Sequence, residues 1–411
     1  MSDLVSPFRG ERYAARDRLS KLIAPPYDVI DPTERARYAA LDEHNIVHVM
    51  LPEAPPSRPP DDRYEIAAQL LTAWRAGEIL ARDPEPALYV LAQDFTLPTG
   101  EQFTRRGVFA AVKAEGYEPR RIRPHERTHA GPKADRLALL RATATNIESI
   151  FLLAPDRDRA LANAVATVAH EKPDARAELG GVAIRLWIVR DVARFPLPEG
   201  PLYIADGHHR YETASAYAQE NSAADRVLAL IVSAREPGLV VLPTHRVIFG
   251  AGREIDQVLP RLRARFDVQP VPGGVDPLKH LAEVGRNQTA CLLAGRTQLV
   301  ALTLRPGALP DRLPSLAQSE AVRGLDVARI ETFVVKEILG ATTSTPIVRY
   351  VADAREALQM VQHGGAAVAV LLNPTRVEQV FAVADAGDVM PPKSTYFVPK
   401  VPSGLVLRPV S

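Results

Sequence analysis

The sequence predicts a mixed α/β fold of the α+β type. Short apolar runs of strand length alternate with segments whose apolar residues recur at helical spacing, and Gly or Pro punctuates the joins. At 411 residues the chain is too long for one small core, so two or three domains are expected. The texture divides it into an N-terminal unit over 1–84, a strand-rich core over 85–249 and a C-terminal α/β part over 250–411.

The first part opens with PFRG and the Pro-rich IAPPYDVIDP, followed by a helix over 33–43 and a short apolar stretch at 46–51. After the loop PEAPPSRPPDD, helical spacing returns over 64–80. The core begins with ALYVLAQDFTL and QFTRRGVFAAVKAE, separated by Pro98, Thr99 and Gly100, which predicts a hairpin. A polar stretch runs into a helix near 134–143. The strand-like runs SIFLLA, GVAIRLWIV and PLYIA follow, then the helical YETASAYAQE, then RVLALIVSA and LVVLPTHRVIFG. Further on, ACLLAG, LVALTL, IVRYVA, AAVAVLL and VEQVFAVA are apolar runs, 331–339 reads as a short amphipathic helix, and the end is strand and turn.

Composition narrows the function classes. Hydrophobic residues are 46% and charged residues 24%, the proportions of a globular chain and not of a disordered one. The net charge of +1 lacks the basic surplus of a protein that lives on nucleic acid or anionic membrane. Cys291 is the single cysteine, so neither an internal disulfide nor a cysteine zinc site is expected. No apolar run reaches membrane-spanning length and the first residues do not read as a secretory signal, so a cytoplasmic location is expected. The common nucleotide cradles G-x-x-x-x-G-K-[ST] and G-x-G-x-x-G are not found.

Three clusters can carry chemistry. In ADGHHRYETA a buried-strand ending meets the turn Asp206-Gly207, and His208, His209 and Arg210 then fall at the start of a helix whose apolar face is Tyr211, Ala214 and Ala218. Such a start carries N–H groups and positive partial charge that attract anions, and Arg210 offers a forked donor. The histidines add hydrogen bonds, or ligate a metal together with Asp206. The plainer alternative is that Asp206 only caps the helix.

The second cluster crowds Arg120, Arg121, Arg123, Arg127, Lys133 and Arg136 around His125, Glu126 and His129. It is either a solvated charged face or a Pro-shaped binding loop in which Glu126 is a general base and Arg123 and Lys133 neutralise phosphate. The third is the tail PPKSTYFVPK, where Lys393, Ser394 and Thr395 suit a substrate carboxylate or phosphate. His245-Arg246 in LPTHR and Asp28 in PPYDV are weaker candidates.

Together these stretches resemble the ParB/sulfiredoxin-like superfamily, and in particular its free serine kinase branch. That branch has an R/K-P-H-E segment, then DGHHR, then S-P-K-T-T, in the order of Arg123-Pro124-His125-Glu126, residues 206–210 and Pro392-Lys393-Ser394-Thr395 here. Over nearly the whole chain, PFRG, APPYDV, PHERTHAGPKADRL, ADGHHRYETA, LPTHR and PPKSTYFVPK also resemble the domain-of-unknown-function family 1015.

The resemblance implies a ParB/sulfiredoxin-like core with N- and C-terminal extensions, and a phosphotransferase of free serine or phosphoserine. Its donor would be ATP or ADP with Mg2+, and the direction of transfer stays open. It makes Glu126 the base, gives Asp206, Gly207, His208, His209 and Arg210 the phosphate, nucleotide and metal, and Lys393, Ser394 and Thr395 the amino acid. The 80 residues between Glu126 and Asp206, about twice the spacing of the kinase branch, imply an insertion. The alternatives are a ParB-like nucleotide-binding or DNA-partition protein, a sulfiredoxin-like repair enzyme lacking its cysteine, and a metal-dependent phosphatase built on Asp206, His208 and His209.

Overall fold

A computed structural model describes residues 3–128, 130–193, 195–250, 255–308, 319–339 and 347–410. His129 lies outside them. The fold is mixed α/β, in two units: Met1–Pro124, Thr128–Val240 and Pro399–Ser411 form the first, and His125–Arg127 with Val241–Val398 the second.

The first unit is built on one large mixed sheet. Its strands run in the order Ile122–Arg123, Leu202–Asp206, Ile150–Ala154, Arg226–Ser233, Gln102–Lys113, Leu88–Thr96, Val182–Val189 and Ala175–Leu179, with Val5–Ser6 beside Gln102–Lys113. The hairpin predicted around Gly100 is there, paired from Tyr89↔Phe109 to Thr96↔Gln102. Alternation along the strands sends Leu88, Val90, Ala92, Val108, Ala110, Val112, Ile150 and Leu152 into one core cluster with Tyr211 and Ala214 of the helix His208–Glu220. Gln93 and Arg105 are directly opposed across the hairpin and are both buried.

The chain ends are woven into this unit. Glu11 and Leu407 exchange backbone hydrogen bonds at 2.9 and 2.8 Å, as do Ala24 and Ser403, and Val410 N–H reaches Ala144 O at 2.9 Å. Gly10 donates its N–H to Tyr89 Oη at 2.8 Å, and an added Cβ would stand 2.6 Å from that oxygen. That close approach explains the glycine of PFRG. The helices expected at 33–43 and 64–80 are Pro32–Leu41 and Asp62–Ala76; the apolar stretch at 46–51 holds the short helix Val47–Met50. The first helix starts on a capping box of Asp31 and Glu34, with Pro32 at its first position.

The second unit carries an antiparallel sheet ordered Phe266–Pro270, Leu299–Leu304, Ala290–Ala294, Val368–Leu372, His245–Phe249 and Ile347–Val351. Helices Pro277–Val284 and Ala354–Gln362 contribute Leu281, Ala357 and Val361 to its core. VEQVFAVA forms the helix Val377–Asp385, and 331–339 is a π-helical turn, Glu331–Val335, followed by Lys336–Leu339. Among the described residues, no helix is long and apolar enough to cross a membrane.

His245 is fully buried here, and its Nδ1 accepts the Leu372 N–H at 3.2 Å, so the proton of the neutral ring sits on Nε2. Burial, and next the charge of Arg246, push its pKa down to about 4. The folded value lies below the unfolded one of about 6.5, so the stabilisation is present above pH 6.5 and is lost as pH falls towards 4, to about 3 kcal/mol. The variant His245→Asn keeps an acceptor near Nδ1 and removes the titration. Thermal unfolding between pH 7 and 4.5 should therefore lose less stability in this variant than in the wild type.

Candidate functional site

In the first unit the strand Leu202–Asp206 ends in an irregularity. Ile204 pairs with Leu152 and Asp206 with Phe151, so the register shifts between them, as a bulge that re-aims the last side chain. Gly207 follows at φ 90°, in the left-handed region open to glycine, and the helix His208–Glu220 begins with no side-chain cap. A Cβ at Gly207 would stand 3.0 Å from Arg210 Cζ, so the guanidinium lies against the turn and would have to shift by a few tenths of an ångström to admit a side chain.

Asp206 does not cap the helix. Its Oδ1 accepts from Lys400 Nζ and its Oδ2 from Arg210 Nη2, both at 2.5 Å. Burial alone would raise the carboxyl, but Lys400 first, then Arg210 and His208, hold it far below the usual carboxylate range. Arg210 Nη1 donates to Ser149 O. Both terminal nitrogens thus donate to protein oxygens at the turn.

A second layer backs this pair. Tyr27 N–H donates to Glu148 Oε1 at 2.9 Å, Arg136 Nη1 stands 3.5 Å from Glu148 Oε2, and the Arg136 guanidinium lies 4.4 Å over the Tyr27 ring. Burial raises the Glu148 carboxyl, opposed by Arg210 and then Arg136. Residues of the PPYD motif therefore buttress the DGHHR turn from below, and Arg136, Glu148 and Arg210 line a small cavity of about 50 Å³ there.

The other candidates of this unit are also placed. His208 is buried and His209 half-buried at the helix start. Arg123 sits on the strand parallel to Leu202–Asp206, its Nε on Arg120 O at 2.9 Å and its Nη1 3.3 Å from Tyr203 Oη. Lys133 Nζ and Thr128 Oγ1 both donate to Glu212 Oε2, at 2.8 and 2.7 Å. Lys133 thus ties the helix Ala130–Thr143 to the helix His208–Glu220.

In the second unit His125 and Glu126 belong with the tail. Met390 N–H donates to His125 O at 2.9 Å, and His125 Nε2 is 3.1 Å from Thr395 Oγ1. Thr244 Oγ1 donates to Lys393 O, Thr375 Oγ1 to Ser394 O at 3.0 Å, and Ser394 Oγ to Pro391 O at 2.6 Å. The Ser394 hydroxyl shapes the loop. Lys393 is exposed at φ 56° and Glu126 is half-buried. Arg246 is buried between Glu331 Oε2, 3.2 Å from its Nε, and the Tyr350 ring, 5.2 Å from its Cζ.

Among the described residues, no group of three His, Cys, Asp or Glu side chains is placed to hold a metal ion. Asp206, the expected ligand, has both carboxylate oxygens occupied by cations, so it does not fit that role in this arrangement. Lys400, the last residue of PPKSTYFVPK, has no role of its own in the sequence motifs; its one signal is a second lysine following KST.

Residues 5–328 match the family described as "Protein of unknown function (DUF1015)". No curated protein matches. Three solved structures show the range of likeness. A conserved hypothetical protein from Pyrococcus furiosus is 17% identical with a TM-score of 0.36, covering 72% of this chain and 93% of its own. A free serine kinase in complex with AMP is 16% identical with a TM-score of 0.37, covering 71% and 87%. SbnI with a C-terminal truncation, from Staphylococcus aureus, is 11% identical with a TM-score of 0.38, covering 71% and 84%.

The shared carboxylate predicts a large effect from a small change. Replacing Asp206 by Asn leaves Lys400 and Arg210 without their counter-charge, which should cost about 3–5 kcal/mol and lower Tm by roughly 10 °C. Because the folded pKa is depressed, the wild-type contribution is present above the unfolded carboxylate value of about 4 and is lost only as pH falls well below it. In Lys400→Met the acid loss should move to higher pH, as circular dichroism melts from pH 2.5 to 7 would record.

Proposed function

The chain belongs to the DUF1015 family, and from that premise we propose that it is a phosphotransferase acting on a free hydroxy amino acid, serine or phosphoserine first, with an adenine nucleotide. The observation that carries this reading is the packing of two cations, Lys400 and Arg210, about the single carboxylate of Asp206 at a helix start without a side-chain cap, where surplus positive charge and the first N–H groups favour an anion. The motif order Arg123–Glu126, DGHHR, Pro-Lys-Ser-Thr supports it, and with it a ParB/sulfiredoxin-like ancestry for the core.

The residue roles are those that the motif resemblance implies. In the forward direction Glu126 takes the proton from the serine hydroxyl, the oxygen attacks phosphorus, and the bond from phosphorus to the nucleotide oxygen breaks; the reverse direction returns the phosphoryl group. Phosphoryl transfer asks mainly for positioning and charge neutralisation. The helix start at residues 207–209 receives the phosphate. Asp206 and Arg210 hold the turn in shape, and Lys393, exposed on its loop, receives the carboxylate of the amino acid while Ser394 and Thr395 set the loop's form. No step is assigned to Mg2+, because Asp206 is already engaged.

The DNA-partition alternative gains nothing from the net charge of +1, and the phosphatase alternative requires an Asp206 that is available to metal. Phosphorus-31 NMR of the protein with serine plus ATP or ADP, and separately with phosphoserine with and without ADP, tests activity, donor and direction together. Glu126→Gln should slow turnover roughly 100- to 10,000-fold while nucleotide affinity stays within about twofold. Full turnover in that variant removes Glu126 as the base, and no conversion in any mixture removes the serine assignment.

A further inference from the structure

Among the described residues Arg105 is a buried charge with no ion-pair partner. It lies in the middle of the strand Gln102–Lys113, is 1% exposed, and its guanidinium stands 4.7 Å over the Phe151 ring. Phe151 pairs in register with Asp206, so Arg105 sits at the base of the DGHHR turn. Its Nη2 donates to the neutral Gln93 Oε1 at 2.5 Å, and Gln93 Nε2 in turn donates to Lys400 O at 3.0 Å. Among the described residues, Arg105 Nε and Nη1 have no hydrogen-bond partner.

Two carboxylates act on Arg105, Asp206 before Glu236. Neither pairs with it: Asp206 is shared by Lys400 and Arg210, and Glu236 Oε1 holds Arg106 Nη1 at 3.0 Å. Burial accordingly pushes the Arg105 guanidinium down to about 9, a large displacement for a group that proteins otherwise keep charged. A buried cation left without a counter-ion is costly, and at least half of its donors are unused as well. A glutamine where a glutamate would neutralise it keeps the charge open.

We propose that Arg105 supplies the counter-charge for a phosphate group held at the start of the helix His208–Glu220, making it an anion-binding residue that none of the sequence motifs contains. This rests on the phosphate site proposed above and adds to it the residue that sets affinity for a doubly charged anion. Direct contact is not required, because a charge enclosed in protein acts over several ångströms with little screening.

Isothermal titration of the full-length protein with inorganic phosphate, ADP and O-phosphoserine tests this, in wild type, Arg105→Met and Gln93→Glu. Arg105→Met should weaken the phosphate-bearing probes at least tenfold, and the probe weakened most identifies the source of the anion. Its melting temperature without ligand should stay level or rise, since an uncompensated buried charge has been removed; a purely structural arginine would instead lose stability and leave affinity unchanged. Gln93→Glu places a carboxylate against Arg105 and should weaken the same probes while the arginine remains, which decides the matter if Arg105→Met does not fold. Affinities within twofold of wild type in the folded variants overturn the role of Arg105 and leave the proposed function standing. A wild type that binds none of the three probes overturns both.

Discussion

One carboxylate organises the first unit. Asp206 receives an ammonium on one oxygen and a guanidinium on the other, and a buried charge of this kind persists only where the geometry compensates its desolvation. Much of the surrounding architecture meets that condition. Gly207 gives the turn its left-handed φ and the room that Arg210 fills. Glu148 balances Arg210 from the other side and is itself held by Arg136 and the Tyr27 N–H. Lys400 arrives from 194 residues further along the chain, and its carbonyl is fixed by Gln93.

That last dependence explains why both chain ends belong to the first unit. The segment 399–411 contributes Lys400 to the turn, Ser403 and Leu407 to backbone pairing with Ala24 and Glu11, and Arg408 to Asn146 and Arg226 O. PFRG has a matching role: Gly10 lets Tyr89 approach, and Tyr89 Oη and Arg12 both donate to Asp83. These motifs are remote from the DGHHR turn in sequence. They build the unit in which its charges are enclosed.

The hairpin around Gly100, the strand and helix flanking Gly207 and the apolar face of Tyr211 and Ala214 were all legible, because periodicity and turn chemistry are local. The helix Ala160–Val168 and the strand Ala175–Leu179 were not read, the first being a nearly uniform run of small apolar residues and the second a polar edge strand. At the candidate site the positions were legible and the directions of the side chains were not. Arg210, Lys133 and Ser394 read as ligand groups from sequence, and in the fold each donates to a protein oxygen. Lys400 and Arg105 looked ordinary, yet Lys400 pairs with Asp206 and Arg105 is buried within reach of its charge.

The sequence by itself determined that a strand would stop at Asp206 and a helix start after Gly207, since both depend on residues within a few positions of one another. It also determined the alternation that sends Gln93 and Arg105 to the same face of a hairpin. Only the tertiary structure decided which charges meet at the turn. Lys400, Ser149 and Arg105 come from separate strands and segments, and an arginine's partner is set by what folding buries beside it. The same five residues can therefore be read as an anion-binding helix start from sequence, while the charge balance that would give that start its affinity is a property of the packed unit.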